Sequence, residues 1–170
     1  MNLSSSPRRP VLFRAYLVAV FATALALSIS GWRVHPAPVW PLLLGGFGLL
    51  VLAELSPVHL PGGGVMNAGT MVDLPLLLMI GPFWTAALDV VALLAVQGVL
   101  QRRPALRVAH NGAIYVLGAF GAARAYELLG GRVGQVAFPE GALALTACGL
   151  AFFLVNSACV SVAIGLTDGP

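Results

Sequence analysis

A chain of 170 residues that is 59% hydrophobic and 9% charged, with a mean hydropathy of +0.93, has too much apolar surface to hide in a water-soluble fold. Soluble domains carry about a quarter charged residues. The formal net charge of +3 and the pI near 9.4 come from arginine alone. These arginines are scattered among the ends of apolar stretches and form no basic stripe, which argues against nucleic acid as a partner.

The first apolar stretch, Val11 to Ser30, follows a short tail, residues 1–10, that carries Arg8 and Arg9. Paired arginines before an apolar run suggest an export signal, but Pro10 and Arg14 fit that pattern poorly. About 20 apolar residues suffice to cross a ~30 Å hydrocarbon core. A retained first span is therefore expected, with the N-terminus in the cytoplasm, because positive charge precedes it. A proline-rich segment, Gly31 to Pro41, leads to a second span from Val39 to Leu55. Trp32 and Trp40 stand near its outer end and Glu54 closes its inner end. Pro57, Pro61 and the glycines at 62 to 64 then break any helix and predict a flexible re-entry loop.

A third span, Met66 to Ile80, is short and carries Pro75. It is expected to turn at Gly81-Pro82 into a fourth, Phe83 to Gln101, as a tight helical hairpin. Arg102, Arg103 and Arg107 follow, and Pro104 starts a fifth helix that runs from Ala105 to Leu129 and ends at Gly130-Gly131. The sixth covers Glu140 to Leu166. Arg8, Arg9, Arg14, Arg102, Arg103 and Arg107 then lie inside, against Arg33, Arg124 and Arg132 outside. The expected fold is an all-α polytopic bundle of about six transmembrane helices over residues 11–168, in a bacterial inner membrane with both termini cytoplasmic. Small residues four apart, Gly118 with Ala122 and Gly121 with Ala125, and Gly45, Gly46 and Gly48 in the second span, are expected to build close helix contacts.

Charged groups at bilayer depth cost at least a few kcal/mol, so each needs a partner, a proton or a wet cavity. Asp73 and Asp89 flank the Gly81-Pro82 turn at equal distance, so a hairpin brings both to one depth, ~12 Å from the turn. Two carboxylates at one level favour proton sharing, cation binding or pairing with Arg124. Asn111, Tyr115 and Asn156 are the candidates to line a ligand pocket with them, the alternative being interhelical hydrogen bonding alone. Arg124 and Glu127, spaced i, i+3, are expected to pair. Cys148 and Cys159 lie ~16 Å apart along one helix, beyond disulfide reach. The histidines, His35, His59 and His110, are far apart, so neither a metal nor another cofactor is expected. No GxSxG or HExxH constellation is present, which argues against an enzyme.

Several pieces taken in order carry a resemblance. They are Glu54-Leu55-Ser56-Pro57-Val58-His59-Leu60-Pro61-Gly62-Gly63, Leu76-Leu77-Leu78-Met79-Ile80-Gly81-Pro82, Arg102-Arg103-Pro104, His110-Asn111 and Phe153-Leu154-Val155-Asn156-Ser157. Over residues 50–168 the chain is similar to the multi-span N-terminal sensory regions of bacterial HD-GYP phosphohydrolases and GGDEF diguanylate cyclases. The resemblance implies an input module that passes a stimulus to a cytoplasmic signalling partner. Neither an HD-GYP nor a GGDEF motif follows, so cyclic-nucleotide chemistry is not carried over, and Asn111 and Asn156 match only as positions. The chain is then expected to be a detached input module, a truncated product or a stand-alone relative working through a partner. A small transporter, or the substrate-binding subunit of one, is the competing expectation, and a ligand-free scaffold the third. The lipid bilayer, a small-molecule ligand and a second copy of the chain are further expected partners.

Overall fold

The computed structural model describes residues 8–34, 40–56, 58–59, 65–66, 68–135 and 141–167. Its helices are α1 (Arg8–Val34), α2 (Trp40–Leu55), α3 (Thr70–Leu93), α4 (Ala105–Leu128) and α5 (Ala142–Thr167). A π-helical segment, Leu94–Leu100, extends α3, and two short strands, β1 (Val58–His59) and β2 (Val65–Met66), pair antiparallel between α2 and α3. The protein is thus helical throughout its apolar stretches. Among the described residues three stretches are long and apolar enough to cross a membrane, Pro10–Trp32, Thr70–Leu100 and Ala142–Thr167, and Trp40–Leu55 is a shorter apolar helix.

The expectation of about six membrane-spanning helices is corrected in number, since only these three stretches among the described residues are long and apolar enough, and the expected third and fourth spans are the two limbs of α3, parted at Gly81. The element is sharply bent at Gly81, which adopts φ 85° and ψ 165°, a conformation almost restricted to glycine. The bend reverses the chain. A methyl group placed on Gly46 of α2 would meet Leu76 Cδ2 at 2.8 Å and Leu88 Cδ1 at 3.3 Å, yet on a straight helix those leucines stand ~18 Å apart. The hairpin anticipated from Gly81-Pro82 is therefore present, built inside a single element. Its first limb begins at Thr70, later than the expected Met66, because Val65–Met66 pairs as a strand with Val58–His59. The glycines at 62 to 64 lie outside the described residues.

Pro82 has no N–H for the carbonyl of Leu78, four residues back. Gly134, in the turn after α4, supplies one at 2.7 Å and so fastens that turn to the hairpin apex. On the same side of the bundle Trp32 packs edge-on against Phe83, with ring centroids 5.6 Å apart, which brings the end of α1 to the apex. At the opposite end Tyr16 of α1 reaches His110 of α4 and the Cys159 carbonyl of α5. Successive helical limbs therefore alternate in direction, and α1 starts on the side where α5 finishes.

The main core gathers Leu77, Ala86, Ala119, Ala122, Tyr126, Cys148 and Phe152 around α4. A methyl on Gly118 would touch Phe152 at 3.3 Å, and one on Gly121 would touch Val155 at 3.4 Å, so the small residues of α4 do set its approach to α5. In α2 only Gly46 has this role, because Gly45 and Gly48 face nothing within 4 Å. α4 ends as expected: Gly130, at φ 85°, and Gly131 return their N–H groups to Glu127 and Tyr126. Both described cysteines are free.

Candidate functional site: a buried acidic cluster

A group of polar side chains from three helices gathers at the end of the bundle where α2 finishes. The hairpin sets Asp73, in the first turn of α3, directly against Asp89 on the returning limb, so that their carboxyl groups interact. Asp73 is 0% and Asp89 4% exposed. Neither carboxyl oxygen of Asp73, and only one of Asp89 at most, has a hydrogen-bond donor among the described residues. Glu54, one residue from the end of α2, is the third acidic group of this cluster and lies near both aspartates.

Glu54 is held differently from the aspartates. Gln97 donates from Nε2 to Glu54 Oε2 at 2.9 Å, and the Tyr115 hydroxyl approaches Glu54 Oε1 at 3.5 Å. Asn111 then donates from Nδ2 to Gln97 Oε1 at 3.1 Å. Gln97 belongs to the π-helical segment, where the Gln101 N–H reaches back to Val96 at 2.8 Å. Such wide turns rotate side chains out of α-helical register and occur often at functional sites. Arg102 follows with φ 51°, an uncommon conformation for a side-chain-bearing residue, which ends the segment.

Of the residues expected to form a site, Asp73, Asp89, Asn111 and Tyr115 come together here. Asn156 does not join them: it is half-buried on α5 and makes no hydrogen bond among the described residues. Arg124 is not the partner of the aspartates either. It pairs with Glu127 at 3.0 Å, as its spacing predicts, and lies exposed toward the far end of α4. No other ion pair forms among the described residues, and the exposed Arg102, Arg103 and Arg107 stay outside the cluster. No set of three acidic, histidine or cysteine side chains among the described residues is arranged to hold a metal ion.

Glu54 and Gln97 belong to the cluster but were not legible as site residues. Glu54 reads as the polar end of a span. Gln97 was the available signal, a lone amide within an apolar helix.

A second polar contact lies nearby. Tyr16 has one hydroxyl proton, and the Cys159 carbonyl at 2.7 Å requires it, so the 2.9 Å contact with His110 is a bond donated by the ring Nε2–H. This fixes the tautomer of a neutral His110 and ties α1, α4 and α5 together, with no contact to the acidic cluster.

Comparison with protein-family models, characterised proteins and solved structures finds no match to this chain.

Proposed function

We propose that the chain is a bacterial inner-membrane input module that crosses the bilayer six times with both termini inside. A proton, small cation or cationic molecule held at Asp73 and Asp89 would shift the packing of its helices. The observation that carries this reading is the Asp73 carboxyl group, fully buried against a second carboxyl and without a hydrogen-bond donor among the described residues. Hydrocarbon makes two adjacent bare carboxylates costly, so positive charge is the missing component. The direction of the limbs supports six crossings, with each hairpin limb counted as one. The similarity to sensory regions that precede cyclic di-GMP domains supports an output through a cytoplasmic partner, for which the exposed arginines 102, 103 and 107 offer the contact.

The experiment follows helix packing. Spin labels placed on α2 and on the segment after Gln97, in the full chain in lipid nanodiscs, should change separation when pH or cation is varied. Asp73→Asn and Asp89→Asn should abolish the change. A separation constant across all conditions would sink the reading, and reporter fusions placing the two ends on opposite faces would sink the topology.

The bent element favours one further reading, a small transporter. Discontinuous helices are a common way to build substrate sites within membranes. Flux in proteoliposomes that either aspartate substitution diminishes would decide for transport, and its absence across a broad metabolite panel would decide for sensing.

A further inference from the structure

The three carboxyl groups of the cluster are not equivalent. Glu54 is half-buried, beside the end of α2, and has donors from Gln97 and Tyr115. Asp73 lies deeper, with neither oxygen reached by any donor among the described residues, and it faces Asp89, which is buried like it. A fully buried, unpartnered side chain aimed at a second carboxyl calls for something small and positive in the space between them.

The neighbours limit what that can be. From α2 the charged group facing the aspartates is Glu54, and from α4 the titratable group facing them is Tyr115. The π-helical segment contributes the neutral Gln97 to Glu54. Tyr16 of α1 and His110, closer to the start of α4, are bonded to each other. None of these is a cation, and among the described residues no three acidic, histidine or cysteine side chains are arranged to hold a metal ion. A hydrogen bond between one carboxylic acid and one carboxylate satisfies both aspartates at once, because such charge-assisted O–H···O⁻ bonds are short and strong.

We propose that Asp73 and Asp89 hold one exchangeable proton between them, and that Glu54 is the carboxylate through which it exchanges with the side of the bundle where α2 ends. Hydronium gives its proton to the Glu54 carboxylate and leaves water. The new O–H bond of Glu54 then breaks as an O–H bond forms on one aspartate, and Glu54 returns to the carboxylate held by Gln97. Each proton taken up makes the cluster one unit less negative. This deepens the input-module reading and rests on its site, but its test needs no partner and no output, so the two can fail separately.

The test is infrared spectroscopy of the full chain in nanodiscs at neutral pH. A carbonyl-stretch band of a buried protonated carboxylic acid is expected, moving in heavy water and disappearing in both Asp73→Asn and Asp89→Asn. Glu54→Gln should keep the band but slow its shift in heavy water by about a hundredfold, the scale of a lost proton-transfer group. A wild-type chain without the band overturns the shared proton and needs no variant to fold. So does a band that survives either aspartate substitution, or one bleached at constant pH by sodium, potassium or ammonium, which would place a larger cation there. An unchanged exchange rate in Glu54→Gln overturns the role of Glu54.

Discussion

The N–H of Gly134 donates to the carbonyl of Leu78 at 2.7 Å, in the place where Pro82 leaves the helix without a donor. A turn that follows α4 thereby completes the backbone of α3, and the sharpest bend in the fold is held from outside. Gly134 sits at φ 85° with nothing within 4 Å of where a methyl would be added, so its substitution tests backbone alone. Gly134→Ala should cost about 1–2 kcal/mol through its left-handed conformation. Gly134→Pro loses the N–H as well and cannot adopt φ 85° at all, because its ring holds φ at about −65°, so it should cost more than Gly134→Ala by at least the ~1–3 kcal/mol of a stranded carbonyl. Reversible unfolding in detergent measures both.

Gly81 is the other half of the bend. Its φ of 85° and ψ of 165° place it where side chains are excluded, and residues forced there cost about 1–3 kcal/mol. Gly81→Ala should lose that much stability. It should also separate Asp73 from Asp89, because only the reversed chain brings them together. Spin labels on the two limbs should move apart in Gly81→Ala, and an unchanged separation would show that the apex does not require glycine.

The hairpin was legible because its signals are local. Gly81-Pro82 marks a break, and equal spacing of Asp73 and Asp89 around it gives a common depth. What could not be read was length: periodicity does not tell how far each limb runs on either side of the break, and the first limb starts only at Thr70 while the second is prolonged by the π-helical segment to Leu100. The same limit applies to the site. Asp73, Asp89, Asn111 and Tyr115 announce themselves as polar groups in apolar helices, but the π-helical turns that swing Gln97 toward Glu54 have no sequence signature. Asn156 looked equivalent to Asn111 because both are amides in apolar helices, and only the packing of α5 sets it apart. Of the two partners open to Arg124, the aspartates and Glu127, the structure forms only the second, the one that helix spacing fixes by itself.

Gly46 separates packing from composition in α2. A methyl there would stand 2.8 Å and 3.2 Å from the two terminal carbons of Leu76, so the leucine must move. Gly46→Val should cost about 1–3 kcal/mol by overpacking. Gly45→Ala and Gly48→Ala meet nothing within 4 Å and should be neutral or slightly stabilising, since alanine favours the helix by up to ~1 kcal/mol over glycine. Equal losses at all three positions would mean that the outer face of α2 is also packed, against a neighbour outside this chain.

The Tyr16–His110 contact should be measurable as a coupling. Tyr16→Phe removes the donor to the Cys159 carbonyl and the acceptor for His110 Nε2, while His110→Ala removes only the second interaction. Interhelical hydrogen bonds in membrane proteins average about 0.6 kcal/mol. A double-mutant cycle should give a coupling of that size, and Tyr16→Phe alone should cost more than the coupling because the bond to α5 goes with it. A coupling near zero would show that the two rings touch without a net contribution.

Gln97→Leu and Asn156→Leu should behave differently although both replace an amide by a hydrocarbon of similar size. Gln97 donates to Glu54 and accepts from Asn111, so its loss strands a carboxylate oxygen on one side and an amide on the other. Stranding a buried polar group costs about 1–3 kcal/mol and more when it is charged. Asn156 has no bond to lose among the described residues, and its substitution should fall within ~0.5 kcal/mol of wild type, as for positions away from any network. Asn111→Leu should lie between them, because it leaves the Glu54–Gln97 bond in place. Unfolding of the three variants under identical conditions orders them. If Asn156→Leu proved the most damaging, the polar network would have to extend through α5, and the acidic cluster could no longer be confined to the hairpin, α2 and α4.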